Sequence, residues 1–273
     1  MTKILVGTVT NQVKDYCWND FARQLKGLQL QGHDTLIVDN SIRLQPRKGF
    51  KTIHYKKFKD HAHQAQIINA NIPEGAPKFN FLTLVTADCM NILRDEFLKG
   101  DYTHLFILES DVFIEKDTIQ KLLDMDADVA NFTYLMNLTR FDELSLCVQS
   151  TKDNEAKMLS PADSQTLIKT GIKTLGKDMH EGRMLTHTGY GCTLVRRKVI
   201  EQIEFRAEKM KNGALTFPDA CFHQDVNRLG FVNKLNTDWL PDHRNINGET
   251  MDMIKIVGVQ NRMSRRERRA LRK

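Results

Sequence analysis

The apolar positions of this 273-residue chain open with two periods in succession. Lys3 to Val9 reads as a strand, ending in Gly7-Thr8-Val9-Thr10. Trp18, Phe21, Leu25 and Leu28 then recur at helical spacing, and Gly32 closes the helix. Asp34 to Val38 is a second strand, running into Asp39-Asn40-Ser41. Strand, helix and strand in this order form a βαβ opening, which predicts a parallel sheet. Further on, Leu82, Val85, Cys89, Ile92, Leu93 and Phe97 mark a helix from Leu82 to Lys99, closed by Gly100. Asn91 and Arg94 lie three apart and share a different face of it. Leu105 to Leu108 is a continuous apolar run, the pattern of a buried strand. A helix carrying Ile119, Leu122 and Leu123 follows, then a strand from Ala127 to Tyr134.

Other stretches are less regular. Residues 42 to 77 hold a basic cluster (Arg43, Arg47, Lys48, Lys51, Lys56, Lys57, Lys59) around strand-like Thr52 to Tyr55. His61 and His63 in this stretch read as surface residues, and Pro73, Gly75 and Pro77 mark a loop. Residues 150 to 182 are polar and weakly periodic, expected as a loop with short strands. Thr186 to Arg197 reads as a glycine loop and a short strand, with a helix through Val199, Ile200 and Ile203. Phe217 to Val226 leads into a short helix capped by Gly230, and Phe231 to Leu235 is a strand ahead of Trp239 to Arg244. The expected fold class is α/β, a Rossmann-like and mostly parallel central sheet flanked by helices.

The chemistry concentrates where the apolar run Leu105 to Leu108 breaks into Glu109-Ser110-Asp111. Open α/β sheets bind ligands at the carboxyl ends of their strands. Two acids there are costly unless something positive sits between them, and a divalent cation carrying a diphosphate meets that need. On these residues alone, a strand running into a solvated acidic turn accounts for the pattern equally well.

Composition narrows the picture. Hydrophobic content of 41% suits a globular core, and no apolar run is long enough to span a bilayer. The start at Met1 shows no signal-peptide pattern. The five cysteines (Cys17, Cys89, Cys147, Cys192, Cys221) form no CxxC pair, so neither a zinc site nor a disulfide framework is expected, and a cytoplasmic location is. The net charge of +6 belongs to the tail. Seven basic residues and one acid lie between Arg262 and Lys273, leaving 33 of each sign in the rest. Such a tail is either a solvated end or a contact for nucleic acid, an anionic membrane surface or another acidic partner.

In their order these pieces resemble the GT-A glycosyltransferases, particularly glycosyltransferase family 2, over roughly residues 3 to 245. The signatures are the strand ends at Gly7-Thr8 and Asp39-Asn40-Ser41, the Arg94 helix ahead of the acidic motif, Gly189-x-Gly191, an acid before a helix at Asp225, and a late His243. The family's usual Asp-x-Asp is Glu109-Ser110-Asp111 here, and its usual Glu-Asp pair is Gln224-Asp225. The resemblance implies a metal-dependent transfer of a sugar from a nucleotide-sugar donor, most readily a UDP-sugar, to an acceptor hydroxyl. It implies Mn²⁺ or Mg²⁺ held by Asp111 and His243. It implies donor contacts from Thr8, Asp39, Arg94, Glu109, Ser110, Gly189 and Gly191, and Asp225 as the general base of an inverting reaction. One GT-A-like catalytic domain over 1–255 is expected, with a nucleotide-sugar half (1–111), an acceptor half (112–255) and a basic tail (256–273). The tail and the Arg43–Lys59 cluster favour a polyanionic acceptor, with hydroxymethylated phage-type DNA as one candidate and a surface or lipid-linked glycan as the other. Two other readings remain. Nucleotidyl transfer is disfavoured by the absence of a basic residue in Gly7 to Gln12. A non-catalytic nucleic-acid-binding module is disfavoured by a neutral body without interleaved aromatic and basic patches.

Overall fold

A computed structural model of the chain describes residues 2–45, 47–70, 81–137, 144–152, 155–208 and 216–244. The arginine-rich tail and the Pro73–Pro77 loop lie outside the described residues. The central sheet draws on eight strands: β1 (Ile4–Thr10), β2 (Asp34–Asp39), β3 (Lys51–His54), β4 (His104–Leu108), β5 (Val129–Phe132), β6 (Ile172–Thr174), β7 (Cys192–Arg196) and β8 (Asn233–Asn236). Their lateral order is β6-β8-β5-β7-β4-β1-β2-β3. The pairs β1·β2, β2·β3, β1·β4 and β5·β8 are parallel. Antiparallel pairs join β7 to β4 and β5, and β6 to β8. The sheet is therefore mostly parallel and helix-flanked, the α/β arrangement expected from the sequence.

Alternation along the strands explains the two covered faces. Ile4, Val6, Phe106 and Leu108 point to one side, with α1 (Trp18–Leu30) and α4 (Thr118–Asp124) packed on it through Phe21, Leu25, Leu28, Ile119 and Leu122. Leu5, Leu105 and Ile107 point to the other, under α3 (Leu82–Lys99), α6 (Arg197–Ile200) and α7 (Pro218–Arg228). This double burial is why Leu105 to Leu108 carries no polar position. Asn91 and Arg94 on α3 do share a face, and both grip the chain just after α6. Asn91 exchanges hydrogen bonds with the Phe205 backbone at 2.7 and 2.9 Å.

The structure corrects the elements that lack a strong period. Phe58–Ala70 is a helix, α2, placing His61 and His63 on a helix within the segment read as irregular. Residues 150 to 182 are largely structured. Val148–Lys152, Glu155–Met158, Met179–His180 and Arg183–Thr188 form a separate four-stranded sheet, and α5 (Pro161–Leu167) packs beneath it through Leu167. Gly100 ends α3 with an extended backbone; a Cβ there would lie 2.5 Å from the Tyr102 ring. No helix among the described residues is long and apolar enough to cross a membrane.

Gly7 lets α3 approach β1, since a Cβ at this position would meet Leu93 and Leu105 at 3.2 Å. Gly7→Val is expected to overpack the site and cost about 1–3 kcal/mol. The check is a lower urea midpoint with an unchanged slope.

Candidate functional site

β4 lies inside the sheet and delivers the acidic motif to its carboxyl edge. The chain turns there, with the Glu109 N–H donating to Gly191 O (3.1 Å) and the Val112 N–H to Glu109 O (3.0 Å). Val112–Phe113 then pairs antiparallel with Asp242–His243, setting His243 opposite Val112. This short ladder brings a histidine from the far end of the described chain beside the two acids. Ligand atoms of Glu109, Asp111 and His243 all lie within 4.8 Å of one another. His243 Nδ1 sits 2.6 Å from Leu135 O, which can only accept, so that nitrogen carries the proton. Its Nε2 is left facing Asp111 Oδ2 at 3.6 Å. The ring also rests against Tyr134, with centroids 4.8 Å apart, and the Tyr134 hydroxyl donates to Glu109 Oε1 at 3.4 Å.

The electrostatics show what the cluster needs. Burial opposes ionisation of Asp111, yet the His243 hydrogen bond and the Lys14 charge bring its pKa down to about 2. Burial likewise opposes protonation of His243, but Asp111 and Glu109 hold its pKa above the ordinary histidine value. A buried carboxylate stays ionised here because cations surround it. The donor set, two carboxylates and an imidazole whose outer nitrogen is fixed by a carbonyl, fits a divalent ion. The imidazole inclines it towards Mn²⁺ over Mg²⁺.

One neighbour was invisible in the sequence. The 3₁₀ turn Gln12–Cys17, which follows β1, lies over the acidic motif. Lys14 Nζ is 2.7 Å from Asp111 Oδ1 and 3.7 Å from Glu109 Oε2. The Tyr16 hydroxyl approaches Asp111 Oδ2 at 3.5 Å, and the Cys17 thiol donates to Ser110 O at 3.2 Å. Sequence separation hid these contacts, and only the strand–turn–helix geometry joins them.

The other expected residues are placed as follows. Ser110 is buried, and its hydroxyl accepts from Thr10 at 3.0 Å, which ties the motif to the end of β1. Thr8 is buried on β1 with its hydroxyl unpartnered. Asp39 is fully buried and engaged: one oxygen accepts from the Ser41 N–H (2.8 Å), the other from Arg47 Nε (2.9 Å). Arg47 also pairs with Asp15 at 2.7 Å and stacks on Trp18. The structure thus spends Asp39 on orienting Arg47, whose Nη2 is buried and unpartnered. Arg47, together with Lys51 bound to Glu96 at 2.7 Å, is no free member of a basic surface cluster.

Arg94 is not brought to the acidic motif. Its Nε donates to Ile200 O (3.0 Å) and Ile203 O (2.8 Å), so it clamps the segment after α6. Gly189 and Gly191 make room for a side chain of the protein itself. A Cβ at Gly191 would lie 2.3 Å from the Tyr134 ring, and one at Gly189 2.4 Å from its hydroxyl. Their smallness seats the tyrosine that holds Glu109.

Asp225 does not precede a helix. α7 begins at Pro218, so Asp225 lies well inside it, paired to Arg206 and to Arg228 (3.0 Å). The acid at the start of α7 is Asp219, in its first turn. Burial is the main cause that pushes the Asp219 pKa up to about 7; the Ala220 N–H opposes it and the Glu109 charge adds to it. Asp219 in turn helps to raise the pKa values of Tyr134, Cys147 and Tyr190. The missed signal was local: a proline at the first helical position followed directly by an acid.

A cavity of about 520 Å³ lies elsewhere, lined by Leu5, His33, Asp34, Thr35, Glu96 and Tyr102. It sits at the amino ends of β1 and β2, the edge of the sheet opposite to the acidic cluster.

No protein-family model matches the chain, and no curated protein sequence matches it. Among solved structures, it is similar to residues 1–349 of S. aureus TarS, at 11% identity and a TM-score of 0.45, over 88% of this chain and 59% of that one. The same fragment in complex with UDP-GlcNAc gives 12% identity and a TM-score of 0.42, over 88% and 57%. The inositol-1-phosphate CTP transferase from T. maritima gives 8% identity and a TM-score of 0.40, over 86% of each chain. The chain thus spans less than two thirds of the TarS fragment. These likenesses say nothing about substrate.

Two substitutions check the placements. Arg94→Ala leaves two carbonyls without their donor and is expected to cost about 1–3 kcal/mol of stability, read by denaturant unfolding. Gly191→Ala should displace Tyr134 at a cost of about 1–3 kcal/mol, and a tryptophan-independent near-ultraviolet tyrosine signal should change with it.

Proposed function

We propose that the chain is a metal-dependent glycosyltransferase that moves a sugar from a UDP-sugar donor to an acceptor hydroxyl. The observation that carries this reading is the meeting of Glu109, Asp111 and His243 at the end of β4. Asp111 and His243 would hold Mn²⁺ or Mg²⁺, with Glu109 as a third ligand or a contact to the sugar. When bound, the ion neutralises charge on the departing diphosphate. Thr8, Ser110 and the buried Nη2 of Arg47 line the donor side at the ends of β1 and β2.

The base is Asp219 in this reading, in place of Asp225. The acceptor oxygen attacks the anomeric carbon on the face opposite the leaving group. The bond to the diphosphate breaks with its electron pair, and the acceptor proton passes to the Asp219 carboxylate. A carboxyl poised at about 7 is matched to that task. The acceptor is a polyanion, hydroxymethylated DNA, approached through the seven basic residues between Arg262 and Lys273. All five cysteines are free, which fits a reducing cytoplasm.

A second reading is favoured by one observation. Nucleotidyl transfer was disfavoured by the want of a basic residue after β1, and Lys14 now supplies one beside the acids. The products separate the two: sugar transfer releases a nucleoside diphosphate, nucleotidyl transfer releases pyrophosphate.

Three outcomes test the reading. Asp219→Asn should lower transfer at least about 100-fold, whereas Asp225→Asn should act mainly on stability by stranding Arg206 and Arg228. The Asp219 pKa lies above the usual 3.8, so the protonated form is favoured in the fold and the base accumulates as pH rises. Initial rates should therefore climb through about pH 7 to a plateau, and a flat profile across pH 6–8 counts against Asp219. Removing residues 262–273 should weaken DNA binding and flatten its salt dependence; unchanged binding would remove DNA from the account.

A further inference from the structure

The acidic motif already has a cation, and the protein has gone to some length to place it. Lys14 is carried by a turn that is fixed at every step. The Asn11 side chain caps it by accepting from the Val13 N–H at 2.9 Å. Asp15 is held by Arg47 at 2.7 Å, and the Tyr16 hydroxyl donates to Arg244 O at 3.1 Å. The Cys17 thiol is anchored on Ser110 O at 3.2 Å. Within this frame the Lys14 ammonium reaches Asp111 at 2.7 Å and Glu109 at 3.7 Å, with its side chain about a quarter exposed, at 27%. A surface lysine that finds an acid by chance is tethered only by its own flexible stem. Lys14 is delivered by backbone locked on both sides of it.

The two oxygens that Lys14 approaches belong to two of the three side chains that would ligate a divalent ion. An ammonium this close to both carboxylates and a doubly charged ion among the same oxygens repel each other strongly, so the positions are alternatives. We propose that Lys14 is the resident counter-cation of the Glu109–Asp111 pair, that a divalent ion must displace it, and that the displaced ammonium then binds the donor's diphosphate. The proposal rests on the glycosyl-transfer reading for the diphosphate, and on the metal site for the ion. The acid beside Lys14 in sequence, Asp15, is already paired with Arg47, so it offers the freed ammonium no vacant partner. Such an exchange couples the order of binding. Without donor, the ion competes with an ammonium; with donor, the ammonium has a second anion to join, and the ion binds unopposed. Reciprocal coupling of this kind is required of any two ligands that share a displaced group.

The test is calorimetric and needs no turnover. Mn²⁺ is titrated into the full-length protein without nucleotide, for the wild type, Lys14→Met and Lys14→Gln, with thermal unfolding as the check that each is folded. Both substitutions remove the charge, and Lys14→Gln keeps a polar stem. The expected result is Mn²⁺ binding at least tenfold tighter in both variants, and UDP binding at saturating Mn²⁺ at least tenfold weaker. Equal or weaker Mn²⁺ binding in the folded variants overturns the proposal and leaves the metal site standing. Tighter Mn²⁺ with unchanged UDP affinity overturns the transfer of Lys14 to the diphosphate. Absence of Mn²⁺ binding in wild type and variants alike overturns the metal site and this proposal together.

Discussion

The constraint on which the site depends is the burial of the Asp111 carboxylate at the end of a strand that is apolar on both faces. An ionised carboxyl in such a place must be compensated, and the chain compensates it from two elements. Lys14 comes from the turn after β1, with the Tyr16 hydroxyl of the same turn 3.5 Å away, and His243 comes from the ladder beside Val112, where the Arg244 N–H also holds the Asp111 backbone carbonyl at 3.0 Å. The two elements are remote from each other in sequence. Their convergence around one carboxylate is the reason the ends of β1, β4 and the last described segment are held together.

Around that carboxylate the polar groups divide into two tasks. Tyr134 holds Glu109, the Leu135 carbonyl fixes the His243 tautomer, and Thr10 holds Ser110. These contacts orient the groups that face a ligand. On the neighbouring strand ends, Asp39 and Asp15 orient Arg47 against Trp18. Asp219 differs from all of these, since burial lifts its proton affinity towards neutrality. The same low-dielectric edge of the sheet therefore holds one carboxyl that stays ionised and one that is ready to exchange a proton, and their partners make the difference.

How much of this the sequence revealed follows from the range of the interactions. The first strand, helix and strand, the Leu82–Lys99 helix and the strand ending at Glu109 were legible because burial on defined faces writes a period into the residues. α2 was missed because its apolar spacing is weak, and the four-stranded sheet because its strands are short and half exposed. Within the site, Glu109, Asp111 and His243 were legible as chemistry and are brought together. Asp39 and Arg94 had the right chemistry for a ligand, but the structure engages both internally, Asp39 with the Arg47 side chain and Arg94 with backbone carbonyls more than a hundred residues away that no local pattern announces. Asp225 was expected ahead of a helix, but α7 begins at Pro218 and places Asp225 inside it, with Asp219 in its first turn. Lys14 carried no signal, since its meaning lies in what it faces.

The central claim is that Glu109, Asp111 and His243 form a divalent-cation site at the end of β4. Anomalous diffraction at the manganese edge, from crystals grown with Mn²⁺ and UDP, tests it most directly. The account predicts a single strong peak bonded to Asp111 and to His243 Nε2, with the nucleotide's diphosphate on its open side. A peak elsewhere, or none at these three side chains with Mn²⁺ in excess, contradicts it.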